Sequence, residues 1–361
     1  MSTDHDVIVV GAGPAGSTTA EHAARRGLSV LVLDKRKAIG EPVACGEYMP
    51  ETSEIAASFP RTAELDELFD VPDSLVSRRT AIIRMIAPSQ RHWDVPFLGY
   101  TTDRDRFDKY LAERAVKEGA EVRTSVHVDG VEGTEVLAGG ERLRAKVVVG
   151  ADGPLSRVAA SLGFPRNQDM YPAVTGQAEG DFEPVVEMHF GSVAPGAYAW
   201  VIPKKRGANV GVGFAPRFAD GRIGDYYASF LKQRGLTVST RTVGKLVPSN
   251  GPVARTASEH ALLVGDAAGH VMAVNGGGIP VAMICGRIAG RAIADHVLDG
   301  VPLRRYEEEW RRQVGKPLHT AVNTKRMASL FFGTSRRTEW AMGVVGKRRM
   351  GKMIRCRPVF P

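Results

Sequence analysis

Short apolar runs alternate with one helical stretch at the start of the chain. Asp6–Val10 (DVIVV) predicts a buried strand, Ser17–Arg26 predicts a helix that Gly27 ends, and Leu28–Leu33 (LSVLVL) predicts a second strand. Parallel strands need such a crossover, and right-handed connections are strongly favoured. Residues 6–33 therefore predict a βαβ unit.

The rest of the chain mixes strand and helix patterns. Residues 51–75 have a mixed, largely helical pattern, and residues 171–250 predict alternating strands and turns. After Pro302 the pattern is helical and basic to the end. The other predicted elements are strands at Arg78–Ala87, Arg91–Pro96, Glu121–Val128 and Ala261–Val264, a hairpin over Val131–Val149 that turns at Gly139-Gly140, and helices at Arg106–Glu118 and Gly278–Val297.

A glycine-rich turn joins the first strand to the first helix. Gly11–Gly16 reads GAGPAG, a GxGxxG whose context of strand, helix and an acidic residue after the next strand is specific. Gly11 permits the tight turn, Gly13 allows close approach of a pyrophosphate, and Gly16 allows helix and strand to pack closely. The helix N-terminus offers N–H groups to phosphates, and Asp34 is placed to accept hydrogen bonds from the ribose hydroxyls. The unit predicts a dinucleotide site without choosing between FAD and NAD.

These patterns predict an α/β protein in three parts. Residues 1–75, 97–170 and 251–300 form a Rossmann-like nucleotide-binding domain, and residues 76–96 and 171–250 form a second, antiparallel-sheet domain. Residues 301–361 form a basic helical C-terminal segment.

Composition and charge bear on where the protein is located and what it binds. No stretch approaches the ~18–20 apolar residues of a membrane span, and the start of the chain lacks the pattern of a secretory leader. Three scattered cysteines do not form a disulfide framework, so we expect a cytoplasmic protein. Residues 301–361 contain 15 Lys and Arg against 4 Glu. This charge is either a solvated surface or a site of attraction to anionic lipid or a phosphate-bearing substrate, and no nucleic-acid motif accompanies it.

A second contact region favours FAD. Leu262–Ala268 (LLVGDAA) places Asp266 after a late buried strand, ahead of Gly276–Gly278. The sequence resembles FAD-dependent hydroxylase-like and reductase flavoproteins, which implies that Asp266 contacts the ribityl chain and that Gly278 and Ile279 offer backbone N–H groups to the flavin. Residues 151–153 (ADG) are similar to another segment of these proteins.

The same resemblance assigns further contacts to FAD. Thr102–Asp108 is similar to an RxxFD segment, which implies that Arg104 reaches the cofactor; an exposed arginine at a helix start is the alternative. Ala15, Lys35 and Val128 are also assigned to the cofactor site. No metal site is predicted.

Three stretches resemble the geranylgeranyl reductase family. Residues 39–47 (IGEPVACGE) are similar to its GxPxxCGE loop, residues 195–204 (PGAYAWVIPK) to its PxxYxWxFPK motif, and residues 276–287 (GGGIPVAMICGR) to its GGGIxxAMxxG helix. Together with the N-terminal unit this resemblance spans residues 5–300. It implies a reductase that saturates double bonds of geranylgeranyl chains, in archaeal-type ether lipid synthesis. Tyr48 and Met272–Asn275 depart from the family pattern.

The resemblance also assigns site residues. Cys45 and Gly46 contact FAD, and Cys45 and Glu47 are candidate proton donors. Tyr198 and Trp200, two apart on one strand face, would line an apolar channel, and Lys204 would meet a phosphate headgroup. The alternatives are inert packing for Cys45 and core packing for the two aromatic residues.

Two other functions remain open. A flavin monooxygenase or halogenase of the same fold would consume oxygen, and a non-catalytic flavoprotein would only bind a membrane surface. For the reductase we expect a polyprenyl lipid substrate, a peripheral position at an anionic membrane, no nucleic-acid partner, and an electron donor that is ferredoxin, an F420-type cofactor or NAD(P)H.

Overall fold

A computed structural model describes residues 4–359 as two sheets with helices packed around them. The strands are β1 (His5–Val10), β2 (Val30–Leu33), β3 (Tyr48–Pro50), β4 (Val76–Ile86), β5 (His92–Thr102), β6 (Glu121–Arg123), β7 (Val128–Glu132), β8 (Glu135–Ala138), β9 (Glu141–Gly150), β10 (Met170–Ala178), β11 (Val185–His189), β12 (Ala199–Pro203), β13 (Ala208–Gly213), β14 (Val243–Pro248) and β15 (Ala261–Leu263). The helices are α1 (Pro14–Ala24), α2 (Thr52–Ser58), α3 (Leu65–Leu68), α4 (Arg104–Lys117), α5 (Arg157–Ser161), α6 (Ile223–Arg234), α7 (Ile279–Asp299), α8 (Arg305–Trp310), α9 (Lys316–Ala328) and α10 (Ser335–Ile354).

The first sheet confirms the predicted α/β class. Strands β6, β2, β1, β9 and β15 are parallel, and β9 also pairs with the antiparallel hairpin β7–β8. In a sheet of this kind ligands bind beyond the carboxyl ends of the strands. Gly11, Asp34, Ala151 and Gly265 each lie just beyond the end of such a strand, so the strand order brings the predicted motifs to one edge.

The second sheet has eight strands in the order β14-β10-β13-β12-β11-β4-β5-β3. All neighbours are antiparallel except β11 and β4. β5 continues through Pro96 to Thr102, and β3 pairs with its end. The predicted strand ended at Pro96, which proved too short. Pro96 lies beside an irregularity in the β4–β5 register, where a residue without an N–H donor is tolerated.

Helices α1 and α7 pack closely over the first sheet. A Cβ at Gly286 would lie 2.7 Å from the Ala15 carbonyl oxygen, and one at Gly290 would lie 2.6 Å from that of Thr19. Glycine is required at both positions because the two backbones nearly touch. α7 therefore holds its N-terminus, residues 278–279, against the glycine-rich turn of α1.

The C-terminal segment is helical, as predicted. A π-helical turn, Arg311–Gly315, joins α8 to α9, and Gly346 (φ 63°) interrupts α10. Buried Met342, Met350 and Ile354 of α10 pack in one core with residues of β4 and β5. The helices thus cover one face of the second sheet. The prediction of helix up to Pro361 includes residues 360–361, which lie outside the described part of the chain.

Some predicted bounds were wrong. The stretch predicted as one strand over Glu121–Val128 contains the short β6 and the start of β7, and the hairpin over Val131–Val149 is part of a three-stranded meander. Gly139-Gly140 does turn the chain, but a second turn lies at Gly133 (φ 61°). Within residues 4–359, no helix combines the length and apolar character that a bilayer crossing requires.

Candidate functional site

A cavity of about 810 Å³ lies between the two sheets and the C-terminal helices. Its lining falls into two arms of different chemistry. The nucleotide arm, at the carboxyl edge of the first sheet, is lined by Gly11, Gly13, Ala15, Asp34, Lys35, Arg36, Arg104, Val128, Asp152, Lys245, Asp266, Gly278 and Ile279. The apolar arm, between the second sheet and residues 328–354, is lined by Met85, Met188, Phe190, Tyr198, Trp200, Ile202, Phe332, Met353 and Ile354.

The glycine-rich turn presents backbone donors to the nucleotide arm. Gly13 is the N-cap of α1 and Pro14 follows it, and no side chain caps this helix end. A Cβ at Gly11 (φ 102°) would lie 2.4 Å from the Ala151 carbonyl oxygen, and one at Gly16 would lie 1.8 Å from that of Gly11. A Cβ at Gly13 would meet no atom within 4 Å. Gly11 and Gly16 are therefore required for packing, while Gly13 leaves open room in which a phosphate can approach the helix N-terminus.

Asp34 is held rigidly at the end of β2. One carboxylate oxygen accepts from the Ala12 N–H at 2.7 Å, and Arg36 donates to both oxygens from its side chain at 2.7 and 2.9 Å. Burial would raise the pKa of this carboxyl, but the hydrogen bonds and charge of Arg36 outweigh burial and hold the pKa below its usual value. Asp34 is thus an ionised acceptor facing the cavity. Arg36 was missed from the sequence because it lies outside the fingerprint.

The predicted late contact region closes the nucleotide arm. Asp266 follows β15, and a Cβ at Gly278 would lie 3.5 Å from its Oδ1 atom. Its other carboxylate oxygen accepts from Lys245 Nζ at 2.8 Å. The charge of Asp266 raises the pKa of the Lys245 ammonium and outweighs the opposite effect of burial.

Lys245 was also missed from the sequence. It comes from β14 of the second sheet, so both sheets build this arm. The available signal was a lysine between Val243 and Val247 on one face of a strand, a face that should otherwise be apolar.

One buried polar atom in the nucleotide arm lacks a partner among the described residues. Asp152 Oδ1 is buried without a hydrogen bond, while its Oδ2 accepts from the backbone N–H groups of Arg157 and Val158. A buried unpaired carboxylate oxygen is costly and calls for a donor. Together with the open helix N-terminus and the ionised Asp34, it fits a bound group that carries phosphates and hydroxyls, as FAD does.

Arg104 and Cys45 meet where the two arms join. Arg104 makes a two-pronged ion pair with Asp108, at 2.8 Å for each hydrogen bond, while Phe107 is fully buried beneath them. Burial would lower the pKa of Arg104, but Asp108 and Cys45 raise it above its usual value. The Cys45 sulfur accepts from the Glu47 N–H at 3.2 Å and lines the cavity. Arg104 therefore lines the cavity and adds positive charge beside the thiol; its contact with the cofactor stays a prediction.

Glu47 and Lys204 occupy different places from those expected. Neither side chain lines the cavity, and Glu47 is 1% and Lys204 9% exposed. Lys204 Nζ donates to both Glu47 oxygens at 2.9 and 3.0 Å and pairs with Asp103 at 2.7 Å. Burial lowers the pKa of Lys204, but Glu47 and Asp103 outweigh it and leave the pKa raised.

The partners of Glu47 do not suit it to proton donation. Its carboxylate also accepts from Gln177 and Asn209 side chains, at 2.6 and 2.9 Å, and from the Arg104 N–H at 3.1 Å. Both Glu47 oxygens are therefore held by donors inside the protein, and the residue is not part of the cavity lining. Lys204, committed to two carboxylates, is not free to bind a headgroup. The pair instead ties the Cys45–Gly46 loop to the second sheet.

Tyr198 and Trp200 line the apolar arm, and their contact with a lipid chain stays a prediction. Their ring centroids are 6.0 Å apart, and the series continues through Phe190, 6.1 Å from Tyr198, to Phe332, 5.9 Å from Phe190. Trp200 donates to Asn209 at 2.8 Å, and Tyr198 donates to the Asn275 carbonyl at 2.5 Å. An aromatic wall therefore runs from the Cys45 loop to the C-terminal segment.

Comparison with known protein families agrees with both halves of the site. Residues 6–47 match a family model described as FAD dependent oxidoreductase, and residues 173–248 match one described as geranylgeranyl reductase catalytic domain. The first match covers the glycine-rich turn and Asp34. The second covers Tyr198, Trp200 and Lys245.

Similar proteins extend the likeness over about nine-tenths of the chain. A digeranylgeranylglycerophospholipid reductase of Methanothermobacter thermautotrophicus is 35% identical over 346 residues, covering 90% of this chain and 87% of that protein. One from Methanosarcina acetivorans is 33% identical, covering 90% and 85%.

Solved structures place the fold in the same group. A geranylgeranyl bacteriochlorophyll reductase-like protein from Thermoplasma acidophilum superposes with a TM-score of 0.83 at 26% identity, covering 94% of this chain and 91% of that one. A flavin-dependent brominase has a TM-score of 0.74 at 17% identity, covering 98% and 93%, and shares the fold alone. The cofactor is FAD, and the chain belongs to the digeranylgeranylglycerophospholipid reductase family of flavoproteins.

Proposed function

We propose that this protein saturates carbon–carbon double bonds of geranylgeranyl chains in an archaeal-type membrane ether lipid. The observation that carries the proposal is the continuity of the cavity. A polar arm built for a dinucleotide runs directly into an arm walled by aromatic and aliphatic side chains. A polyprenyl chain in the apolar arm would meet the flavin end of FAD at the Cys45 loop.

Reduced FAD, when bound, supplies a hydride to the double bond. The protein orients the reactants and excludes water. Donors at the N-terminus of α1, together with Asp34 and Asp266, hold the cofactor. Tyr198 and Trp200 hold the chain, and burial raises the pKa of the Tyr198 hydroxyl well above its usual value, so it stays protonated.

The second carbon of the double bond needs a proton, and we assign its delivery to the Cys45 thiol. Cys45 lines the cavity where the arms join, and the Arg104 guanidinium lies beside its thiol. Glu47 positions this thiol, since its carboxylate and backbone hold the loop that carries Cys45. Cys45→Ala should keep FAD and reduce substrate slowly.

The reducing equivalents come from a separate donor of one of three classes: ferredoxin, an F420-type cofactor or NAD(P)H. The rate at which each donor bleaches the bound flavin in the absence of oxygen identifies the donor.

We also place the protein at the surface of an anionic membrane, in keeping with the basic residues after Val301.

The deciding experiment is anaerobic incubation of dithionite-reduced holoenzyme with a geranylgeranyl glycerophospholipid, followed by mass spectrometry. Each saturated bond adds two hydrogen atoms to the lipid. An unchanged lipid with fully reduced enzyme would exclude the proposal. Oxygen uptake with a hydroxylated or halogenated product would favour the oxygen-consuming alternative, and flavin and vesicle binding without any turnover would favour a non-catalytic role.

A further inference from the structure

Large apolar side chains are exposed on one short stretch of the C-terminal segment. Nine large hydrophobic residues are exposed in the described part of the chain, and five of them lie between residues 327 and 344. We call these five the apolar patch: Met327, Leu330, Phe331, Trp340 and Val344. Their exposed fractions run from 37% for Phe331 to 69% for Leu330. Single exposed hydrophobic residues are ordinary, but a cluster of them marks a surface that is covered in use.

Two members of the patch are in contact, and the other three lie close to them along the chain. The rings of Phe331 and Trp340 are 5.7 Å apart at their centroids. Val344 lies one helical turn beyond Trp340 in α10, so both are on one face. Phe331 lies four residues after Met327, and Leu330 is adjacent to it.

Basic residues flank this surface. Arg326 precedes Met327, and Arg336 lies one helical turn before Trp340; both are exposed. Between residues 324 and 359 the sequence has ten Lys and Arg and a single acidic residue, Glu339. Glu339 accepts hydrogen bonds from the backbone and hydroxyl of Ser89 and so belongs to an internal contact.

The same stretch also walls the cavity. Lys325, Ala328, Ser329 and Phe332 line the cavity, while the alternate residues Met327, Leu330 and Phe331 are exposed. Phe332 contacts Phe190, the outer member of the aromatic wall. Residues 325–332 therefore form a thin wall, with the apolar arm on its inner side and the patch on its outer side.

We propose that the apolar patch and its basic rim dock on the surface of an anionic bilayer, and that the polyprenyl substrate passes from the bilayer into the apolar arm beside residues 325–332. The sign of the rim selects negatively charged lipid headgroups. Trp340 suits this role because tryptophan, with an apolar ring and a polar N–H, favours the membrane–water interface. The entry route rests on the proposed function, whereas the docking surface does not.

Vesicle flotation tests the docking surface. Wild-type holoenzyme should float with vesicles of phosphatidylcholine and phosphatidylglycerol in equal parts and much less with phosphatidylcholine alone. The double variant F331S/W340S should partition about tenfold or more weakly, while L298S, which removes an exposed leucine of α7, floats like wild type. Flavin content, equal in all three proteins, serves as the control for folding.

Charge is tested separately. R336Q/R337Q should lose much of the preference for anionic vesicles, and added salt should weaken wild-type binding. R304Q/R305Q removes the same charge from an exposed pair outside the patch and should bind normally.

Equal flotation of F331S/W340S and wild type overturns the proposal. So does a wild-type dimer that this variant dissociates, because a second copy would then cover the patch.

Presentation of the substrate separates docking from catalysis. F331S/W340S should reduce geranylgeranyl lipid in vesicles at least several-fold more slowly than wild type, but lipid in detergent micelles at the wild-type rate. An equal loss in both presentations overturns the entry route. If wild-type enzyme reduces neither form yet floats normally, the proposed function fails and the docking surface stands.

Discussion

The two arms of the cavity are built in different ways. The nucleotide arm is made mainly of backbone at strand ends and helix starts, with Gly11, Gly13 and Gly16 allowing close approach. The apolar arm is made of side chains, such as Phe190 and Trp200, contributed by separate strands and by the C-terminal helices. Backbone sites need particular residues at fixed spacing, whereas an apolar wall needs only volume and shape. The two arms should therefore differ in their tolerance of substitution.

The largest expected effect is at Gly16 in the nucleotide arm. A Cβ there would lie 1.8 Å from the Gly11 carbonyl oxygen. Gly16→Ala should therefore lower the free energy of unfolding by about 3 kcal/mol or more and abolish FAD binding, as measured by denaturation and by flavin absorbance. Gly13→Ala, which meets no atom within 4 Å, should fold normally yet lose FAD. A stable, yellow Gly16→Ala protein would remove the contrast between the arms.

The pair that joins the arms comes next. Lys204→Met leaves Glu47 and Asp103 without their cation in a site where Glu47 is 1% exposed. Breaking a buried pair from one side should cost about 3 kcal/mol, measured as the change in the free energy of unfolding. Lys205→Met, at an exposed position, is the matched control. If the two variants are equally stable, the hydrogen bonds that Glu47 accepts from its other donors are enough to stabilise the buried carboxylate without Lys204.

Lys245 tests whether the second sheet contributes to the nucleotide arm. Removing its charge leaves Asp266 unpaired beside the cofactor site. Lys245→Met should weaken FAD binding by about tenfold to a hundredfold, since the loss of one charged hydrogen bond costs roughly 1.5–3 kcal/mol, and Lys245→Arg should restore most of it. Titration of apoprotein with FAD by fluorescence quenching measures both. Unchanged affinity in the methionine variant would confine the arm to the first sheet.

Gly211 is the counterpart of Gly16 in the apolar arm. A Cβ at Gly211 would lie 2.0 Å from the Trp200 ring, a side chain next to open space. Gly211→Ala should move the indole into the cavity, keep FAD, and raise the KM for polyprenyl lipid by up to about tenfold. Loss of flavin from this variant would show that the arms are not independent.

The smallest expected effect is the loss of unfolding free energy in mild acid, which comes from two buried histidines. Burial, with Arg25 beside His22 and Arg311 beside His270, lowers the pKa of both imidazoles from 6.5 to about 3. Because the folded state holds these rings neutral, their stability contribution is complete above pH 6.5 and is lost as the pH falls toward 3. Each should cost about 1 kcal/mol over the first pH unit below 6.5.

Denaturation at a series of pH values measures this loss. His270→Leu, which removes two buried nitrogens without partners among the described residues, should be less sensitive to acid than wild type. An unchanged slope of unfolding free energy against pH in this variant would exclude His270 as a source.

The sequence by itself indicated the family and the strand-end positions of the nucleotide arm. Gly11–Gly16, Asp34 and Asp266 sit at ends of predicted strands, and parallel strands present their ends at one edge whatever the rest of the chain does. Tyr198 and Trp200 were found because alternate residues of a strand share a face. Each inference needed only local periodicity and spacing or the resemblance of a short stretch to a family motif.

Tertiary structure alone decided the roles of Glu47, Lys204 and Lys245. Glu47 and Lys204 are 157 residues apart in the chain and neutralise each other inside the protein, and Lys245 reaches Asp266 from a different sheet. Whether a charged side chain faces a ligand or another buried charge depends on which strands pack together, and local sequence does not encode that distance. The same holds for the apolar patch, whose aromatic residues become one surface only once α9 and α10 pack against the cavity.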